Sequence, residues 1–107
     1  MRKSFYLKRG DTSPSLIYAL DPESIDLTGA TVRFNMRLKS GATKITRAAA
    51  VIVTAVGTPT VRYNWQAADT DTAGFYEAEF EVTYAGGAVE TFPNSDYIPV
   101  NIGGDIA

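Results

Sequence analysis

The sequence predicts an all-β chain folded as an antiparallel β-sandwich of about seven to nine strands, and three observations carry the prediction. Ala73-Gly-Phe-Tyr-Glu-Ala-Glu-Phe-Glu-Val-Thr-Tyr84 alternates Tyr76, Ala78, Phe80, Val82 and Tyr84 with Glu77, Glu79, Glu81 and Thr83. That is the period of two of a strand buried on one face. Shorter alternating runs recur along the chain between clusters of Gly, Pro, Asp and Ser, with no long helical repeat to compete with them. Finally, Gly74-x-Tyr76 opens the most regular run directly after the polar segment Ala68-Asp-Thr-Asp-Thr72. The arrangement is like the tyrosine corner of immunoglobulin-like sandwiches, where a tyrosine at the start of a late strand bonds back to the preceding turn. Asp71, Gly74 and Tyr76 are therefore the expected corner, although the residue four before Tyr76 is Thr72 and the aspartate stands one earlier. The fold is expected to be immunoglobulin-like, with Tyr76 buried and its hydroxyl bonded to backbone upstream.

In chain order, Ser4 to Lys8 places Phe5 and Leu7 on one side, and Arg9-Gly-Asp-Thr-Ser-Pro14 ends this first edge strand with turn-forming residues. Ser15 to Leu20 resumes with Leu16, Tyr18 and Leu20 on one face. Asp21-Pro-Glu-Ser24 reads as a turn or a single helical turn with proline near its start. Ile25 to Gly29 is a loop with two apolar anchors. Thr31 to Leu38 follows, alternating Val32, Phe34, Met36 and Leu38 with Arg33, Asn35 and Arg37. Ser40-Gly-Ala42 turns the chain. Lys44 to Thr46 and Ala48 to Val56 mix helix-favouring alanine with the β-branched Val51-Ile-Val53, and the neighbouring strands favour strand here too. Gly57-Thr-Pro59 closes that run, and Val61, Tyr63 and Trp65 then share a face. Gly86-Gly87 before Val89-Glu-Thr-Phe92 predicts a tight two-residue hairpin after the long strand, because glycine reaches the positive φ such turns need. Pro93 to Asp96 is a turn. Tyr97 to Ile102 is a last strand whose Pro99 cannot donate to a ladder, which predicts an edge position or a bulge, with a flexible tail from about Gly103.

Composition bounds the function classes. A chain of 107 residues is expected to form one domain over residues 1–107. With 45% hydrophobic residues and a formal charge of −2, it is globular and has no polyanion-binding signature, so nucleic acid is not an expected partner. It contains no cysteine and no histidine. Disulfides, thiolate chemistry and the usual metal ligands and general bases are therefore missing, and no Ser-His-Asp or Cys-His arrangement can be built. No apolar run has the length of a signal peptide or a membrane span, so the expected origin is the cytoplasm of the producing cell.

Of the residues that could carry chemistry, Glu77, Glu79 and Glu81 sit two apart on one strand, which puts neighbouring carboxylates roughly 7 Å apart, the separation of an inverting glycosidase pair. Glycosidase carboxylates converge from different elements across a cleft. A glutamate row opposite an aromatic row is instead the solvated face of a half-buried strand. Asp69-x-Asp71 with Gly74 imitates the first half of an EF-hand loop, but Ala73 and Phe80 stand at two ligand positions, so no calcium site is expected. Arg9-Gly10-Asp11 spells the integrin-binding tripeptide, but three residues are a weak signal and the glycine and aspartate suit an ordinary turn, so no integrin partner is expected. Arg33 and Arg37 have the same period as the glutamates, and if the two strands pair they face Glu77, Glu79 or Glu81 across the ladder. That charged row is either a register device or a partner face made of Arg33, Arg37, Glu77, Glu79 and Glu81.

Four segments in order carry a resemblance. They are Phe5-x-x-Lys8-Arg-Gly-Asp-Thr12, Leu27-Thr-Gly-Ala-Thr-Val-Arg-Phe-Asn-Met36, Gly74-x-Tyr76-x-Ala78-Glu-Phe80 and Thr91-Phe-Pro93. Together they resemble the N-terminal domain family of phage baseplate upper proteins, across about 100 of the 107 residues. The resemblance implies an immunoglobulin-like sandwich in a tailed-phage or prophage virion, a non-enzymatic module that attaches to other virion proteins or to further copies of itself. It implies no catalytic residues, cofactor, small-molecule substrate, membrane or nucleic acid. In those tail proteins the domain leads a longer chain, whereas the present sequence holds the sandwich alone, and a small virion component in the tail or baseplate or at the head-tail junction is the expectation. The alternative from another class is a carbohydrate-binding sandwich, in which aromatics such as Trp65, Phe75 and Tyr97 would stack on sugar rings.

Overall fold

The computed structural model describes residues 3–22, 24–104 and 106. Among them run nine strands: β1 (Phe5–Lys8), β2 (Leu16–Ala19), β3 (Thr31–Leu38), β4 (Thr43–Ala49), β5 (Val51–Thr54), β6 (Thr60–Tyr63), β7 (Gly74–Thr83), β8 (Val89–Phe92) and β9 (Ile98–Gly103). A 3₁₀ turn at Ala67–Thr70 joins β6 to β7. The strands form a larger sheet in the order β1-β9-β7-β3-β4, with β8 also on β7, and a smaller sheet in the order β2-β6-β5. The two pack into an all-β sandwich.

β7 is the centre of the larger sheet. β3 lies along one flank from Tyr76 to Thr83, while the other flank is shared, β9 taking Gly74–Ala78 and β8 taking Phe80–Thr83. Its alternation therefore becomes a buried row of Tyr76, Ala78, Phe80 and Val82 against an outward row of glutamates. The ambiguous alanine-rich run is strand throughout, but in two sheets. β4 pairs β3, Ala50 donates its N–H to the Val32 carbonyl at 3.0 Å, and β5 pairs β6 in the smaller sheet. The chain changes layers between Ala49 and Val51, which no period in the sequence announces.

Four details depart from the sequence expectations. β1 pairs β9 in parallel, Phe5 opposite Val100 and Lys8 opposite Gly103, unlike every other strand pair. No hairpin joins these two, so no turn dictates their sense. β9 is consequently interior, between β1 and β7, rather than an edge. Pro99 is tolerated because pairing with β1 starts only at Val100, so no strand on that side asks for its missing N–H. Gly103 belongs to β9, and its carbonyl accepts the Arg9 N–H at 2.7 Å, so the tail does not begin there. The β7–β8 loop has three residues rather than two: Gly87 N–H donates to the Tyr84 carbonyl and Tyr84 N–H to the Ala88 carbonyl, each at 2.8 Å. Gly87 alone has positive φ, +97°, the arrangement of a type I turn closed by a left-handed residue. Asp21 and Pro22 lie in a bend and Ser24 in a turn, while Glu23, within the segment expected to be a turn or a single helical turn, lies outside the described residues.

The core is an aromatic stack that joins the sheets. Phe34 of β3 is fully buried, stacks on Tyr63 of β6 with ring centroids 4.2 Å apart, meets Phe80 of β7 at 5.0 Å and takes Trp65 edge-on at 5.7 Å. Tyr63 reaches past this stack to donate its hydroxyl to Asp69 Oδ2 at 2.6 Å. The same oxygen accepts the Gln66 N–H at 2.8 Å, which ties the 3₁₀ turn to the core.

Three tyrosine hydroxyls are held protonated by the fold. Burial pushes Tyr84 up to about 12, helped by its hydrogen bond to Glu90. Burial, then the Asp69 bond, raises Tyr63, and burial raises Tyr76. A raised folded-state pKa contributes stability that is complete below the unfolded value and disappears as pH climbs through the folded one. Denaturant midpoints are thus expected to fall steeply between about pH 10 and about pH 12, in step with tyrosinate absorbance. Tyr84→Phe should flatten part of that fall; an unchanged profile in this variant would refute the assignment.

Candidate interaction faces

The sandwich presents two outer sheet faces, and register shows what each displays. On the larger sheet, Arg33 stands opposite Glu81, Asn35 opposite Glu79 and Arg37 opposite Glu77. The strands that carry the expected charged face are therefore direct neighbours. Arg37 donates from Nε and Nη2 to Glu77 Oε1, each at 3.1 Å, and lies over the Tyr97 ring with its guanidinium carbon 4.9 Å from the centroid. The Glu77 hydrogen bond, then the Tyr97 contact, raises the arginine's pKa. Glu81 takes its ion pair from Arg47 on β4 instead of from Arg33. Arg47 is the non-glycine residue with positive φ, 49°, at an irregularity where β4 slips register against β3, and its N–H is received by Asn35 Oδ1 at 2.7 Å. The bulge is what aims Arg47 across the sheet. Sequence alone offered Arg33 or Arg37 as partners for Glu81, because a register slip is invisible in a period of two.

Two of the three glutamates, Glu77 and Glu81, are thus held in surface ion pairs. Such pairs add little stability each but fix register. Among the described residues Glu77 and Glu81 each meet an arginine, and Glu79 faces Asn35.

The residues at the start of β7 are engaged in structure. Tyr76 is 2% exposed and its hydroxyl donates to the Thr72 carbonyl at 2.6 Å. Asp71 does not touch that hydroxyl. It forms an ion pair with Lys44 of β4 and accepts the Thr72 hydroxyl at 2.9 Å, and these two partners hold its carboxyl below the usual range. Gly74, at φ +157°, has no Cβ to press on Leu38 Cδ2, which would lie 3.0 Å away. Asp69 and Asp71 point at different partners, Tyr63 and Lys44, and among the described residues no cluster of three acidic side chains could hold a metal. Arg9-Gly10-Asp11 is a turn pinned to the 3₁₀ segment: Gly10 N–H donates to the Thr70 carbonyl at 2.8 Å, and the buried Thr70 hydroxyl donates to the Asp11 carbonyl at 2.9 Å.

Of the aromatics weighed for sugar stacking, Trp65 is 3% exposed and belongs to the core, so it is removed from that role. Phe75 and Tyr97 are exposed on the outer face of the larger sheet, joined there by Tyr6 of β1, which sequence reasoning did not single out. The alternation of Phe5 and Leu7 turns Tyr6 outward, but its neighbours on that face are set only by the pairing of β1 with β9 and of β9 with β7.

The outer face of the smaller sheet is different in kind. Ile17, Arg62 and Val51 stand side by side across β2, β6 and β5, and Ala19, Thr60 and Thr54 form the next outward row. Ile17 is 61% exposed and Val53 48%. Arg62 is the charged residue at the middle, and its Nε is buried with no hydrogen-bond partner among the described residues. The alternation of Leu16, Tyr18 and Leu20 leaves Ile17 outward, but its place beside Arg62 and Val51 is set by the pairing of β2, β6 and β5, which no local period announces. No helix among the described residues is long and apolar enough to cross a membrane. No family model matches the chain, and neither does any curated protein or solved structure.

Proposed function

We propose that this chain is a non-enzymatic attachment module of a tailed-phage or prophage virion, docking on other virion proteins or on further copies of itself. The class of function rests on the four-segment resemblance read from the sequence. The observation that carries the docking is the outer face of the smaller sheet, where Ile17 and Val51 stand exposed on either side of Arg62, with Val53 exposed further along β5. Apolar side chains around one arginine are the anatomy of an interface centre, since arginine combines a flat apolar body with donors that a partner carbonyl or carboxylate can satisfy. The larger sheet's charged face, by contrast, already pairs Arg37 and Arg47 with its own glutamates.

The test is the double substitution Ile17→Asp and Val53→Asp in the full chain, produced together with the proteins encoded beside its gene. Both side chains point to solvent, so melting should change little. Co-purification with virion proteins, or self-association by solution mass, should be lost. Retained assembly in a folded double variant sinks the docking face, and neighbouring genes that encode only metabolic enzymes sink the virion reading.

A further inference from the structure

On the opposite face, register builds a row that the attachment reading does not use. Tyr6 of β1 pairs with Asn101 of β9, and Asn101 pairs with Phe75 of β7. The flanking positions Phe5, Leu7, Val100, Ile102 and Tyr76 turn inward, so these three side chains stand together on the outer surface. Tyr6 is 68% and Phe75 66% exposed. Two shallow depressions of about 360 and 320 Å³ adjoin at Asn101, one reaching Tyr6 and the other reaching Phe75 and Tyr97.

We propose that the row Tyr6–Asn101–Phe75 binds an extended β-1,4-linked hexopyranose chain that runs across the strands. Two strand spacings separate the rings, roughly 10 Å. In an extended β-1,4-linked chain successive sugars are flipped, so the same ring face recurs at every second residue, about the span between Tyr6 and Phe75. Each aromatic ring receives the C–H face of one sugar, and the Asn101 amide between them offers a donor and an acceptor to the hydroxyls of the intervening sugar. The next outward row, Pro99, Glu77 and Arg37, with Tyr97 beside it, gives further polar contacts along one side.

The same alternation argues against a protein partner here. An amide divides the two rings, so the row has no contiguous apolar centre of the kind that drives protein docking, whereas a sugar presents apolar faces and polar edges in alternation. This inference stands apart from the attachment reading, because it uses the other sheet and other side chains.

The experiment is titration calorimetry of the full chain with cellohexaose and with chitohexaose. Saturable binding to at least one of them is expected. Tyr6→Ala and Phe75→Ala should each weaken it tenfold or more while leaving the melting temperature near that of the parent, because neither ring is in the core. Asn101→Asp should weaken binding by removing the amide donor, and amide chemical-shift changes should centre on Asn101. No heat with either oligosaccharide at millimolar concentration overturns the proposal. So does binding that survives both aromatic substitutions, and so does capture of a virion protein through Phe75 with no sugar bound. The Ile17→Asp, Val53→Asp variant should bind the sugar as the parent does, so each reading fails by its own measurement.

Discussion

Phe34→Ala is expected to destabilise the domain by about 3–5 kcal/mol, the range for emptying a fully buried aromatic site. Phe34 is the ring on which the two sheets meet. Its removal takes away contacts to Tyr63, Phe80 and Trp65 at once, and the partners cannot close in because Tyr63 is tethered to Asp69 and Phe80 is held by β3 and β8. For a domain whose whole stability is on the order of 5–15 kcal/mol, this is a large share. At about 4 °C or more per kcal/mol, the melting temperature should drop by at least about 12 °C. Chemical denaturation of Phe34→Ala beside Phe34→Leu checks the mechanism: leucine refills most of the volume and should recover more than half of the loss. A cost under about 1 kcal/mol for the alanine variant would mean that the stack is not what joins the sheets.

Tyr76→Phe keeps the ring in its buried place and removes only the hydroxyl, so it isolates the bond to Thr72. That bond spans the turn that sends the chain from the 3₁₀ segment into β7. Losing a partly buried hydrogen bond and leaving its acceptor without a donor costs about 1–3 kcal/mol. The loss should be local before it is global. Amide exchange at Thr72, Ala73 and Gly74 should accelerate more than exchange in the middle of β3, because the corner no longer holds the entry to β7. Equal acceleration everywhere, or a cost within about 0.3 kcal/mol of zero, would show that the hydroxyl contributes nothing to the corner. Asp71→Asn is the companion variant. It weakens the Lys44 ion pair beside the corner yet leaves the tyrosine bond intact, so it separates the aspartate from the tyrosine.

How much of this was legible beforehand depends on strand length. β3 and β7 each carry at least four inward side chains, and over such a length only one pairing of faces buries them all, so period two fixes both strands and the inward row of each. Gly74-x-Tyr76 was legible for a different reason: a tyrosine set beside a glycine and a polar turn has few places to put its hydroxyl except the backbone just upstream. The four-residue strands β1 and β2 still show their inward pairs, Phe5 with Leu7 and Leu16 with Tyr18, but they are too short to say which strand lies beside them, and β5 carries a register irregularity that no period announces. Period two turned Tyr6 and Ile17 outward, but the neighbours that complete each candidate surface, Asn101 with Phe75 and Arg62 with Val51, follow only from strand pairing.

The amino-acid sequence by itself determined the class of fold, the two long strands, their buried faces and the absence of cysteine and histidine chemistry, because each of these follows from local period or from composition. Only the tertiary structure decided that β1 runs parallel to β9, that Pro99 lies inside a sheet, that Arg47 rather than Arg33 reaches Glu81, and that Tyr6, Asn101 and Phe75 share a line. All four depend on which distant strand becomes a neighbour and in what register. Backbone hydrogen bonds between strands are chemically alike whatever the side chains. The choice among registers is therefore made by how the whole core packs, which no single segment encodes.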